Sequence, residues 1–341
     1  MKIALTSYSL PPYDSIGAGV QNHYLANEFV RAGHEVTVFS PHNRAPHDAL
    51  YKHSEIRLSG KLRTVKWAVE LSKIEYSQFD YLHCTGDDHF VRTDKGTCHL
   101  RQYHGNSLSE FRYARTASAK LRNILLYTTE LASGVRADFL TCVSARAAKV
   151  LASRTVIIPC GVDLSTFTPG GSKSKNPSIL FVGILDSRKR GDLLVNTFVD
   201  QVKSTFPSAI LNIVREEKKT KHKDVFVHGF VDQERLVDLY RSSWIFCLPS
   251  SYEGFGVPYI EAMGCGTAVV ATPNDGSIEV LGDGKYGVMS NTAALGDDIV
   301  SLLGSPNHLR KLEANGIERS KDYVWSNVVS KYVELVNQYH G

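Results

Sequence analysis

Short apolar runs alternate with longer amphipathic stretches along this chain, and the alternation stops once and then restarts. Residues 3–7, 36–40, 81–84, 139–143 and 156–159 are too short for helices. They are apolar on both faces, as strands of a helix-covered parallel sheet must be. Between the first two, Val20, Tyr24, Leu25, Phe29 and Ala32 recur at helical spacing, and Gly33 ends the run. Residues 168–177 are polar and rich in Gly, Pro and Ser, which marks 162–178 as a linker. Strand-like runs then resume near 179–183, 210–214, 225–228, 244–248 and 268–271, and two helical stretches finish the chain. A chain of 341 residues is too long for one core and suits two α/β domains of about 150 residues each. The expected division is 1–161, a linker at 162–178, a second domain at 179–321 and a terminal helical segment at 322–341.

Composition narrows the function classes. A net charge of +4 is too mild to point to nucleic acid. The six cysteines form no C-x-x-C pair and sit in apolar runs, which predicts buried free thiols in a reducing compartment and no zinc site. The chain opens directly in a strand, which predicts no signal peptide, and no apolar run approaches the length of a membrane span. The expected location is cytoplasmic, at most peripheral on a membrane.

Ligands of open α/β sheets bind at the C-terminal ends of strands, so the turns that follow strands carry the chemistry. The most informative turn is Ser250-Ser251-Tyr252-Glu253-Gly254-Phe255-Gly256-Val257-Pro258-Tyr259-Ile260-Glu261. Pro258 suits the start of a helix, where its missing N–H has no partner to lose. Glu261 then falls in about the first turn, and Glu253 lies in the loop before it. Gly254 and Gly256 let the backbone approach a ligand at a helix N-terminus. Two carboxylates beside an anion-friendly turn suit a ligand that combines phosphate with hydroxyl groups. A solvated loop acid beside a helix acid is the plainer alternative. The loop Asp186-Ser187-Arg188-Lys189-Arg190-Gly191 follows the strand ending at Gly183, and fixed cations there suit phosphate.

Three weaker features complete the set. Gly17-Ala18-Gly19, after Tyr13-Asp14-Ser15, opens a helix but is not a full G-x-G-x-x-G, because Asn22 stands where the last glycine belongs. This argues against a nicotinamide-dinucleotide enzyme. His104-Gly105 and Gly229-Phe230-Val231-Asp232 also follow strand-like runs, with Asp232 placed to cap a helix. Asp87-Asp88 is an acid pair, but His83, His89 and His99 have no ligand-like spacing around it.

Taken together these segments resemble the retaining family-4 glycosyltransferases. Residues 17–38, His104-Gly105, Ile158-Pro159-Cys160-Gly161-Val162-Asp163, 183–191, 250–261 and 264–271 match that family's motifs in order. The resemblance implies the GT-B fold, two Rossmann-like domains facing a central cleft, with the terminal helix crossing back to the first domain and Trp325 as its aromatic anchor. It implies a nucleoside-diphosphate sugar, UDP- or GDP-linked, a hydroxyl acceptor, and no metal or other cofactor. By resemblance Glu261 holds ribose hydroxyls and Glu253 the sugar's hydroxyls. The amides of Phe255, Gly256 and Val257 face sugar and phosphate, Phe230 and Val231 lie beside the base, and His104 orients the donor sugar. Gly17, Ala18, Gly19, Gly183 and Gly254 line the donor. The family commonly carries Arg directly after the glycine at 183, where this chain has Ile184. The phosphate role is therefore divided among Arg188, Lys189 and Arg190 in an order that spacing does not give.

Other readings on the same fold are a sugar-nucleotide epimerase, a phosphorylase, or a non-catalytic sugar-nucleotide binder. Finally, residues 112–126 mix Arg112, Arg115, Lys120 and Arg122 with apolar Tyr113, Leu121, Ile124, Leu125 and Leu126, and Phe111 precedes them. Either the apolar face packs on the sheet or it docks on anionic lipid.

Overall fold

The structure, a computed structural model, describes residues 1–13, 17–105, 107–114, 116–149, 151, 154–218, 220 and 222–341. Asp14, Ser15, Arg115 and the side chain of Tyr113 lie outside the described residues. Contacts divide the chain into two units, residues 1–161 with 325–341, and residues 162–324.

The first unit is built on strands β1 (Lys2–Thr6), β2 (Glu35–Ser40), β3 (Lys52–Glu55), β4 (Tyr81–Cys84), β5 (Cys98–Tyr103), β6 (Phe139–Cys142) and β7 (Val156–Ile157). They pair in parallel in the order β3-β2-β1-β4-β5-β6-β7. The order reverses between β1 and β4, the position where such sheets open a crevice. Strand β5 has no apolar run to announce it. All six of its residues are buried, among them His99, Arg101 and Gln102, each of which makes a side-chain hydrogen bond to a neighbouring segment. The helix Gly17–Arg31 and the terminal helix Trp325–His340 cover the sheet, placing Leu25, Phe29, Val328, Tyr332 and Val336 in one apolar cluster with Ile3, Leu5 and Val38. Burying each such side chain contributes about 1.5–3 kcal/mol. Trp325 lies so close to Gly161 that a β-carbon there would stand 2.3 Å from its ring. Gln21 clamps the same glycine, accepting from its N–H at 3.1 Å and donating to its carbonyl at 3.3 Å.

The second unit repeats the plan with β8 (Ser178–Val182), β9 (Ile210–Val214), β10 (Val225–Val227), β11 (Ile245–Leu248), β12 (Ala268–Ala271) and β13 (Val288–Met289). These pair in parallel in the order β10-β9-β8-β11-β12-β13. Residues 162–178, whose composition reads as a linker, are packed within this unit. The Lys173 ammonium donates to the carbonyls of Ser243 at 2.7 Å and Gly266 at 2.8 Å, and pairs with Glu313 at 3.3 Å. Turn-forming composition marks the absence of regular structure, and it is silent about such anchoring. All six cysteines are buried and none is in a disulfide. Among the described residues no helix is long and apolar enough to cross a membrane.

Candidate functional site

In the second unit the loops that follow β8 and β11 are tied together. The Arg188 carbonyl accepts from the Ser251 N–H at 2.9 Å and from its hydroxyl at 3.1 Å. The Arg188 guanidinium pairs with the Glu253 carboxylate at 2.7 Å and also reaches the Tyr252 carbonyl. Arg190 is held further in. Its backbone is left-handed, with φ 52°, at the cap of the helix Gly191–Thr197. Its guanidinium donates to the Pro249 carbonyl at 2.6 Å and to the hydroxyls of Thr272 and Thr292, each at 3.0 Å. Lys189 lies between these two arginines. Gly183 makes room for it, since a β-carbon there would stand 2.4 Å from Lys189 Cδ. The Lys189 ammonium donates to the Val182 carbonyl at 2.9 Å. Burial lowers its pKa, Arg188 and Arg215 add to the fall, and Glu253 and Glu261 oppose it.

The two glutamates occupy different settings. Glu253 is buried and accepts from the Ser250 hydroxyl at 2.8 Å. Burial alone would raise its pKa, but Arg188 and then Lys189 outweigh it and the carboxyl sits below its ordinary value. Glu261 is expected in about the first turn of its helix, and it stands just past it. The helix is Val257–Gly264, so Glu261 is its fifth residue, and no acid stands in the first turn. Pro258 is second, because the left-handed Gly256, φ 89°, opens the helix one residue earlier than proline preference alone places it. Glu261 is half-buried and accepts from the Tyr240 hydroxyl at 2.9 Å. Burial pushes its pKa up, with Tyr240, Arg215 and Lys189 restraining the rise.

The turn between the glutamates rests on the helix Asp275–Leu281. The Gly276 N–H donates to the Glu253 carbonyl at 2.8 Å, and a β-carbon on Gly276 would stand 2.2 Å from the Phe255 carbonyl oxygen. Phe255 is buried against Tyr323, with ring centroids 5.4 Å apart. Gly254 and Val257 are half-buried on either side. Past β10, Phe230 is exposed and Val231 half-buried, and Asp232 caps the next helix by accepting from the Arg235 N–H at 2.8 Å. Arg215, Tyr240 and Gly276 were not singled out in the sequence. Arg215 and Tyr240 lack any motif, whereas Asn274-Asp275-Gly276 carries a cap-and-turn signal that points to Gly276.

In the first unit, Gly17, Ala18 and Gly19 open the helix after β1, and Gly19 packs so closely on Ser9 that a β-carbon would stand 2.5 Å from its carbonyl oxygen. His104 directly follows β5. Among the described residues its buried Nε2 has no hydrogen-bond partner, and burial, reinforced by Arg101, lowers its pKa to about 4. Asp88 is fully buried between Arg101 at 2.6 Å and His99 at 3.0 Å. His99, which spacing left apart, thus joins Asp88 and Cys84 in a group of metal-type donors. The Arg101 guanidinium already answers the carboxylate there, and burial raises the Cys84 thiol well above its ordinary value, so the chemistry is that of an internal ion pair. Asp87 has a left-handed backbone, φ 60°, and burial raises its pKa to about 6.

Residues 16–166 match the family model described as Glycosyltransferase Family 4, and residues 165–319 match that described as Glycosyl transferases group 1. A probable sucrose-phosphate synthase of Thermosipho melanesiensis is 28% identical over 204 residues, 53% of this chain and 47% of that protein. The chain thus spans about half the length of that relative. A phosphatidyl-myo-inositol mannosyltransferase of Mycolicibacterium smegmatis is 24% identical over 364 residues, 97% of this chain and 93% of that protein. Among solved structures, Anabaena Alr3699/HepE in complex with UDP-glucose superposes with a TM-score of 0.74 at 14% identity, over 99% of this chain and 100% of that one. That likeness shows the fold alone, which is the GT-B fold.

Proposed function

This chain belongs to the glycosyltransferase family that those two models describe, and from that premise we propose that it moves a sugar from a nucleoside diphosphate to a hydroxyl acceptor, with retention and without a metal. The observation that carries the reading is the convergence of Arg188 and Lys189 with Glu253 and Glu261 at the C-terminal edge of one sheet. Cations there answer a diphosphate, and carboxylates accept from hydroxyls. In this reading Glu261 takes ribose hydroxyls and Glu253 the sugar's. The backbone of residues 254–257 faces sugar and phosphate, and Phe230 and Val231 flank the base. As the bond from the anomeric carbon to the phosphate oxygen breaks, negative charge grows on the leaving diphosphate, where Lys189 stabilises it. The acceptor oxygen bonds to the anomeric carbon on the same face, and its proton passes to the departing phosphate oxygen. His104 remains neutral at neutral pH and serves to orient, not to take the proton.

The related HepE structure holds UDP-glucose, which favours a nucleotide sugar as donor here as well. The test is incubation of the protein with UDP-, GDP- and ADP-sugars and a panel of hydroxyl acceptors, with and without EDTA. Acceptor-dependent release of nucleoside diphosphate that persists in EDTA supports the reading. A changed sugar with no transfer would mean epimerisation, transfer to inorganic phosphate would mean a phosphorylase, and binding with neither would mean a binder. Loss of activity in EDTA that manganese or magnesium restores would overturn metal independence.

The acceptor side of this reading includes peripheral contact with an anionic bilayer. The helix Ala117–Arg136 buries Asn123 and Ser133 and turns Leu121, Ile124, Leu125, Leu131 and Val135 outward. Exposed Arg112, Lys120, Arg122 and Arg136 accompany them. An apolar face left in solvent beside basic side chains matches a membrane surface of negative charge. Co-sedimentation with phosphatidylserine vesicles at low salt, lost in Leu125→Glu, is the expected result. No binding to these vesicles at low salt would remove the membrane from the reading.

A further inference from the structure

The cations of the β8 loop are largely committed. Arg188 is paired with Glu253, and the Arg190 guanidinium is bonded to Pro249, Thr272 and Thr292. Residue 184, directly after the glycine that ends β8, is an exposed isoleucine. That leaves Lys189 as the loop's cation without an ion pair among the described residues, electrostatically coupled to both glutamates, and a diphosphate carries more negative charge than one ammonium answers.

A further cation stands on the neighbouring strand. The register pairs Val182 with Val214, and the Gly183 N–H donates to the Val214 carbonyl at 2.9 Å, so Arg215 emerges beside Gly183 at the same edge. Its backbone is left-handed, φ 68°, a region that a β-carbon disfavours. Two contacts hold it there. The Arg215 N–H donates to the Gly229 carbonyl at 2.6 Å. The next residue, Glu216, is buried and accepts from the N–H groups of Leu185 at 2.7 Å and of Glu217 and Lys218 at 2.9 Å each, which ties the loop after β9 to the loop after β8. The Arg215 side chain is half-buried and close enough to bias Glu261 and Lys189 electrostatically. Among the described residues its guanidinium has no hydrogen bond and no ion pair. A guanidinium whose backbone is held in an unfavourable setting and whose side chain has no protein partner among the described residues is placed to meet an anion.

We propose that Arg215 is a phosphate-binding residue of the donor site, reaching the diphosphate from the strand next to the loop that carries Lys189. The inference rests on the donor reading above. Its planar fork meets two phosphate oxygens, which an ammonium cannot do.

Calorimetric titration of UDP, GDP and ADP into the full chain identifies the diphosphate that binds, and the matching monophosphate serves as control. Arg215→Gly removes the guanidinium and relieves the left-handed backbone, so its melting temperature is expected to equal or exceed that of the unmodified protein. Its diphosphate affinity is expected to fall about 10- to 100-fold, with a smaller loss for the monophosphate. Arg215→Lys is expected to recover part of the loss. Diphosphate affinity within twofold in the folded glycine variant overturns the inference and leaves the donor reading standing. An equal loss for mono- and diphosphate also overturns it, because Arg215 would then act through Glu261. An unmodified protein that binds none of the three overturns the donor reading and this inference together.

Discussion

The C-terminal edges of the two sheets treat charge in opposite ways. In the first unit Asp88 is closed between Arg101 and His99, and His83 between Tyr81 and Gln102, all of them inside the protein. In the second unit the groups at the same edge are only partly satisfied by one another. Among the described residues Glu261 has one hydroxyl donor, and Lys189 one carbonyl acceptor. A desolvated charge needs compensation from somewhere. Where the protein supplies all of it, the group serves stability. Where the protein supplies part, the remainder is available to a ligand. Charged groups on and after the strands of the two sheets therefore take different roles according to how far their partners are built in.

The largest effect expected from this contrast is on stability. Arg101→Ala leaves Asp88 buried without its cation, and unfolding in urea is expected to show a loss of about 3–5 kcal/mol. A loss below about 1 kcal/mol would mean that the Asp88 cluster is as open as the second unit's site.

Lys189→Ala should do the reverse, lowering turnover about 100- to 1000-fold while leaving the melting temperature nearly unchanged. Arg190→Ala sharpens the contrast inside one loop. Three hydrogen bonds are lost, so its main effect is expected on melting temperature. If the two variants behave alike, the division between a held arginine and an available lysine fails.

Glu261→Ala removes an acceptor from the same edge. The expected cost to nucleoside-diphosphate affinity is about 1.5–3 kcal/mol, measured by calorimetry on the folded variant. Unchanged affinity would place the ribose elsewhere.

The smallest effect concerns pH. Burial lowers His83 to about 3 and His104 to about 4, below the 6.5 of an ordinary histidine. The unfolded chain therefore takes up protons first as pH falls, and stability is lost from 6.5 downward through the folded values. Asp87, raised to about 6, acts in the opposite direction between its ordinary value and 6. A net loss of about 1 kcal/mol between pH 6.5 and 5.5 is expected from urea denaturation. Stability that stays flat would mean that the first unit's imidazoles are not closed off.

How far the chain could be read beforehand depended on the kind of signal. Strands such as Tyr81–Cys84, Ile210–Val214 and Ala268–Ala271 were legible because apolar runs of that length have few other uses. The strand Cys98–Tyr103 was not, because its buried His99, Arg101 and Gln102 look like surface residues until Asp88 and His83 are seen beside them. The edge strand Lys52–Glu55 is polar for the ordinary reason that an edge meets water. In the second unit's site, the stretch 250–261 and the basic loop were legible as motifs, and the structure brings them together through Arg188 and Glu253. Arg215 and Tyr240 were not, since each acts alone from a different element.

The helix Ala117–Arg136 marks the same boundary. Its spacing shows an apolar face, but not whether that face meets the sheet or the solvent, and the structure leaves it in solvent. Periodicity is a local property of the chain, so the alternation of strands and helices, the two-unit plan and the motif turns were determined by the sequence alone. Partnership is a property of distances between residues far apart in sequence, and the strength of a charge pair depends on separation and burial together. Only the tertiary structure decided that Asp88 is closed between Arg101 and His99, and that among the described residues Glu261 meets Tyr240 while the Arg215 guanidinium meets no partner.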